Sequence, residues 1–205
     1  MSLKTVVKIN RITNLTDARY CSGMHVDVLG FCLEPTSPNY ISGNQFQEIT
    51  GWIAGIDYAA EFAQSTAAEI SALLPSYPGI SWIESEHLDT LLALKDLGLG
   101  LIYKVSIEQL IVLPELEQLL NGQEITLHLT SSQKTITIEH HDLIERLSTF
   151  SKVLLGFGVQ ADNASLLSAL PGVYGLALDG GDEIKPGLRD FDQLADILES
   201  LELED

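Results

Sequence analysis

Cysteine is scarce in this chain of 205 residues: only Cys21 and Cys32 occur. Two thiols without a CxxC pair make neither a disulfide framework nor a zinc ribbon, so no metal or other cofactor is expected. Cys32, inside the apolar run VDVLGFCLE, reads as a buried free thiol. Basic residues are also few, 11 Lys and Arg against 29 Asp and Glu, for a formal net charge of −18. Nucleic acid or an anionic membrane would need a basic face, so neither is expected as a partner. A small anionic metabolite is not excluded, because it responds to the local field of its pocket. No apolar run approaches the roughly 18 residues of a membrane span, and MSLKTVVKIN lacks a signal-peptide core. The expectation is a cytoplasmic monomer or homodimer with reduced thiols.

What is present suffices for a full core: 45% of residues are hydrophobic and 20% charged. Short apolar runs recur as candidate strands: TVVKI (5–9), DVLGFC (27–32), WIAGIDY (52–58), ISWIE (80–84), LGLIYKV (99–105), EITLHLT (124–130), KVLLGF (152–157) and VYGLAL (173–178). Several are apolar on both faces, as parallel strands covered on both sides are. Helical spacing fills the gaps: 14–23 with Thr16 as N-cap, 43–50, 65–75 with a Ser65 cap, and 87–98 ending in glycine. It continues through 107–122, broken at Pro114, then 139–150, 161–172 and 191–202. Eight strand–helix units in unbroken alternation predict a single α/β domain over 1–205, a closed (β/α)8 TIM barrel. A doubly wound sheet would want a glycine-rich first turn, and INRITN has no glycine.

In such a barrel the site lies at the C-terminal strand ends. Read in order, those ends offer Asn10 and Arg11; Cys32 and Glu34; Asp57 and Tyr58, with Glu61 just beyond; Glu84 and Glu86; Lys104 and Ser106; and His128 and Thr130. The last two ends are glycine-rich. Gly156 and Gly158, with Gly180 and Gly181, could turn backbone N–H groups toward a phosphate, and a short helix after strand 8 could add its N-terminus. Tight turns alone would explain the same glycines.

The segments VKINRITNLTDA (7–18), HVDVLGFCLEPTSPNYIS (25–42), LLGFGVQADNA (154–164) and LDGGDEIKPGLRD (178–190) together resemble the phosphoribosylanthranilate isomerase family of tryptophan biosynthesis. The corresponding family patterns are KICGIT followed by Leu–x–Asp–Ala, GADALGFVFYPKSPRYIS, LSGGLNPENV and VSSGVE…PGxKD. The resemblance implies an Amadori rearrangement of an aminoaldose to an aminoketose. A cysteine at the first strand tip would be the base and an aspartate at the sixth the acid, and an arginine after strand 2 would hold the anthranilate carboxylate. This sequence departs at each place. The cysteine position is Asn10, the following glycine is Arg11, the arginine is Asn39, and His128 or a near neighbour stands for the aspartate. An amide has no basic form near neutrality, and losing a general base costs on the order of 10²–10⁴ in rate. The segment after strand 6, SSQKTITIEHH, is also short, and Asp179 and Asp182 flank the glycines of the supposed phosphate cup.

Three readings follow: an isomerase with replaced acid and base, His128 among the candidates; a non-catalytic binder of an anionic metabolite, such as a phosphorylated sugar, or of a protein partner at the old site; and an unrelated reaction on the same barrel. In the first two, Arg11, Glu34, Asn39, Glu84 and Lys104 contact substrate or ligand. Asn10, Glu34, Glu84, Lys104 and His128 are expected around one mouth. Arg11, which cannot lose its charge, is expected to pair with Glu34, Glu84, Asp57 or Asp179.

Overall fold

The computed structural model describes residues 2–112, 115–120, 122–180, 182–185, 188–190 and 192–203. Pro114 and Gly181, singled out above, fall outside these. Eight parallel strands close into a barrel: β1 (Val6–Asn10), β2 (Val28–Cys32), β3 (Asp57–Phe62), β4 (Ile80–Ser85), β5 (Gly100–Ser106), β6 (Ile125–Thr130), β7 (Val153–Leu155) and β8 (Gly175–Asp179). β8 returns to β1, with Lys8 opposite Ala177 and Asn10 opposite Asp179. Between β1 and β7 run α1 (Leu15–Gly23), α2 (Gly43–Thr50), α3 (Ala67–Leu73), α4 (Leu88–Leu94), α5 (Ile107–Val112), α6 (Leu116–Leu120) and α7 (Ile138–Ser148). α8 (Ala164–Ser168) precedes β8, and α9 (Asp192–Ser200) ends the ring. None of the described helices is long and apolar enough to cross a membrane.

Local chemistry fixes the helix starts. α1 is capped by Asn14, not Thr16, because the Asn14 side chain accepts the Asp17 N–H. α3 is capped by Thr66 in a reciprocal box with Glu69, which frees Ser65 for another role. Gly98 ends the α4 segment in the left-handed region at φ 69°.

The largest departure from expectation is β3. It begins at Asp57, one residue before the expected end at Tyr58, because Asp57 pairs with Val28. WIAGI before it is a turn with Gly55 at φ 75° and Trp52 exposed. Asp57 therefore lies at the N-terminal end of the barrel, where it accepts from Trp82 Nε1 at 3.4 Å, and plays no part at the mouth. After β8, where the sequence left room for a short helix, β9 (Asp182–Lys185) and β10 (Leu188–Asp190) form an antiparallel hairpin.

Period-two alternation sorts the strands into two layers. Val7, Ile9, Leu29, Phe31, Ala60, Ile83, Leu127 and Leu176 face the helices in the main core. Inside the barrel Ile102, Leu154 and Ala177 pack with Val6 and Trp82 as an apolar floor. Above that floor the inward positions turn polar.

Candidate functional site

The centre of the barrel holds a lysine. Lys8 alternates inward between Val7 and Ile9 and is fully buried. Its Nζ donates to Asn10 Oδ1 at 2.5 Å and to Glu61 Oε1 at 2.5 Å, and lies 3.0 Å from Glu84 Oε2. All three ammonium protons are thereby engaged. Burial works against this charge, but Glu61 and Glu84 outweigh it and hold the Lys8 pKa above the usual lysine value. Glu84 also faces His128, whose Nδ1 lies 2.9 Å from Glu84 Oε2. Burial would raise the Glu84 pKa, yet Lys8 and His128 together pull it below the ordinary carboxylate range. Glu61 has only part of that help. Burial, with Glu84's charge added, exceeds the pull of Lys8 and of the Arg11 N–H, so its pKa is raised.

Glycine makes the space. A Cβ on Gly30 would lie 1.9 Å from Glu61 Oε1, and one on Gly156 would lie 2.4 Å from His128 Nε2. Gly156 is thus required by the histidine ring. Gly158, at φ 70°, packs against Ile136, where a Cβ would meet Cγ1 at 2.9 Å. Both glycines thus have a neighbouring side chain to make room for, besides the phosphate contact or tight turn that the sequence suggests.

Above the cluster opens a cavity of about 580 Å³ at the C-terminal strand ends. Asn10, Arg11, Cys32, Glu34, Asn39 and Glu61 line one part of it, and Glu84, Lys104, His128, Gly156 and Asp179 line the rest. Cys32 is accordingly a half-buried mouth residue, not a core thiol. The buried thiol is Cys21, its pKa pushed up to about 12 by burial and the neighbouring Asp17. A smaller recess of about 360 Å³ adjoins, bordered by Gly156, Gly158, Asp179 and Gly180.

The lining side chains have distinct tasks. Glu34 accepts from the backbone N–H groups of Ala63, Gln64 and Ser65 at 3.2, 2.9 and 3.0 Å, and from the Ser65 hydroxyl. Burial would raise its pKa, but these donors outweigh that and lower it. Its carboxylate therefore anchors the loop between β3 and α3. Asn10 donates from Nδ2 to Asp179 Oδ1 at 3.2 Å. Arg11 Nη2 reaches Asp179 Oδ2 at 2.7 Å, with both side chains more than half exposed. Asp179 is thus the partner Arg11 takes among the four anions expected. Lys104 pairs with Glu86 at 3.0 Å on the opposite rim.

Sequence reasoning missed Lys8 and undervalued Glu61. Counting the alternation from Val6 would have turned Lys8 inward. Glu61 was read as lying beyond its strand only because β3 had been placed too early.

Across its length the chain is similar to N-(5'-phosphoribosyl)anthranilate isomerase of Gloeothece citriformis, with 26% identity over 95% of this chain and 93% of that protein. Over nearly its whole length the chain is thus similar to the phosphoribosylanthranilate isomerases, at a divergent level of identity. No protein-family model matches it. Solved isomerases of this kind share its barrel: that of Thermotoga maritima superposes with a TM-score of 0.76 at 20% identity, covering 96% of this chain and 98% of that one. The Thermus thermophilus isomerase gives 0.72 at 21% identity with the same coverage. Triosephosphate isomerase of Bartonella henselae superposes less well, at 0.59 and 14% identity over 86% of this chain and 92% of that one. At these identities the structures speak to fold alone.

The glycine that follows the cysteine in the isomerase motif has a physical counterpart here. Arg11 sits at φ 55°, in the left-handed region that side chains avoid. This turn points its N–H at Glu61 Oε2, 3.1 Å away. Left-handed backbone costs a non-glycine residue about 1–2 kcal/mol. Arg11→Gly is therefore expected to be more stable than Arg11→Ala by about 1 kcal/mol, since both lose the exposed ion pair and only one keeps the strain. Equal urea midpoints for the two would count against that strain.

Proposed function

We propose that this barrel binds a small carboxylate- or phosphate-bearing metabolite at its mouth, in the cytoplasm, and does not carry out the Amadori isomerisation of its relatives. One observation carries the reading. At the tip of β1, where the family motif has its cysteine, Asn10 is held by Lys8 on one side and Asp179 on the other, above an open cavity. An amide cannot take the C2 proton. The cavity nevertheless keeps the size of an ordinary ligand site. Arg11 and Lys104 are its accessible cations, each held by an exposed ion pair of the kind worth only about 0–1 kcal/mol. An incoming anion can draw either away. Asn39 replaces the arginine of the family motif, so less positive charge is fixed in the loop after β2.

Purified protein given N-(5'-phosphoribosyl)anthranilate is expected to turn over far more slowly than the roughly 1–10³ s⁻¹ of ordinary enzymes, and the gene to leave a tryptophan auxotroph lacking the isomerase uncomplemented. Turnover in the ordinary range would overturn this. It would favour a second reading, supported by the raised pKa of Glu61 beneath the cavity and the imidazole of His128 beside Glu84. In that reading these two groups replace the lost base and acid, and Glu61→Gln and His128→Gln abolish the activity.

A further inference from the structure

We infer that the molecule recognised at this mouth is a zwitterion, a small amino acid or other aminocarboxylate, and not a simple anion. The inference rests on the binding role proposed above and narrows it.

The charges around the cavity decide the matter. Arg11, Lys104 and, beneath them, Lys8 stand against the carboxylates of Glu34, Glu61, Glu84, Glu86 and Asp179. Most of these are committed. Lys8 is occupied by Glu61 and Glu84, and Glu34 by three amides and a hydroxyl. What an arriving ligand can exchange are the two exposed pairs, Arg11–Asp179 and Lys104–Glu86.

A simple anion that captures Arg11 strands Asp179. That carboxylate cannot turn away freely, because Asn10 Nδ2 holds its Oδ1. Its vacated Oδ2 would face the bound anion across the same cavity, whose described lining already carries more carboxylates than cations. A simple amine has the opposite fault. It satisfies Asp179 and leaves the Arg11 guanidinium without a partner.

A ligand with both groups avoids both faults. Its carboxylate takes the two-pronged guanidinium of Arg11, and its ammonium takes Asp179 Oδ2. One exposed internal pair becomes two pairs with the ligand, and no charge is left alone. The ammonium also meets the carboxylate surplus favourably. The cavity of about 580 Å³ has room for an amino acid with a large side chain.

The test is calorimetric titration with matched triplets: the proteinogenic amino acids, the same molecules lacking the amine (phenylalanine against 3-phenylpropionate), and the same lacking the carboxylate (phenylalanine against phenethylamine). Inorganic phosphate serves as a further anion. At least one amino acid is expected to bind ten-fold or more tightly than both of its counterparts. Arg11→Gln should reduce its affinity to that of the amine, with recovery in Arg11→Lys, and Asp179→Asn should reduce it to that of the acid. If the acids or phosphate bind as tightly as the amino acids, the zwitterion inference fails and the proposed binding role stands. If no compound of any charge class binds, both fail.

Discussion

Lys8→Met should destabilise the barrel by about 3–5 kcal/mol, the usual consequence of removing one member of a buried charge cluster. The reasoning lies in what remains. Glu61 and Glu84 sit in the barrel interior with little exposure, and Lys8 is the ammonium between them. Methionine has similar length and adds apolar contact, so packing is not the main loss. Two carboxylates are left facing one another without their cation, and at least one must take up a proton or draw in water. Removing those charges should restore much of the stability: the triple variant Lys8→Met, Glu61→Gln, Glu84→Gln is expected to exceed Lys8→Met alone in urea midpoint. A single variant that loses less than about 1 kcal/mol, within the range of an ordinary surface pair, would show that the cluster is not electrostatically dry.

Gly30→Ala should be nearly as damaging, by about 3 kcal/mol, combining overpacking with a disturbed charged hydrogen bond. The added Cβ would stand 1.9 Å from Glu61 Oε1, 2.6 Å from its Cδ and 3.0 Å from Lys8 Nζ. β2 is pinned between β1 and β3, so Glu61 must move, and moving it breaks its contact with Lys8. Gly23 provides the contrast. It ends α1, has nothing within 4 Å of a built Cβ and does not adopt positive φ. Gly23→Ala should gain about 0.5 kcal/mol, the ordinary helical preference for alanine over glycine. Thermal or urea midpoints that move in the same direction for both substitutions would contradict the account of Gly30.

The barrel was legible in the sequence because its evidence is repetitive: eight apolar runs separated by helical spacing. The mouth was legible because the site position follows from the fold, so reading strand ends drew Asn10, Arg11, Glu34, Lys104 and His128 together. β3 was misplaced because Ile53 and Ile56 imitate a strand. What excludes them is the Gly55 turn and the pairing of Asp57 with Val28, a contact between distant segments that local pattern does not carry. Lys8 was passed over for a related reason. A lysine in an apolar run reads as the exposed position of a strand, and only partners on β3 and β4 make its burial tolerable. The hairpin of β9 and β10 had no comparable signal, since its strands, DEIK and LRD, are only four and three residues long and each carries a single apolar residue.

The Lys8 cluster also bears on the order in which the chain can fold. Its three charged members all come from the first half of the chain, on β1, β3 and β4, and can find one another before the second half arrives. At that stage the open sheet leaves them hydrated. The seal comes last in sequence, when β8 docks beside β1 and sets Ala177 opposite Lys8. The desolvation of a lysine and two glutamates therefore falls on the closing step. In an assembly that follows chain order, strand closure is then the step that takes this lysine and its two glutamates out of water.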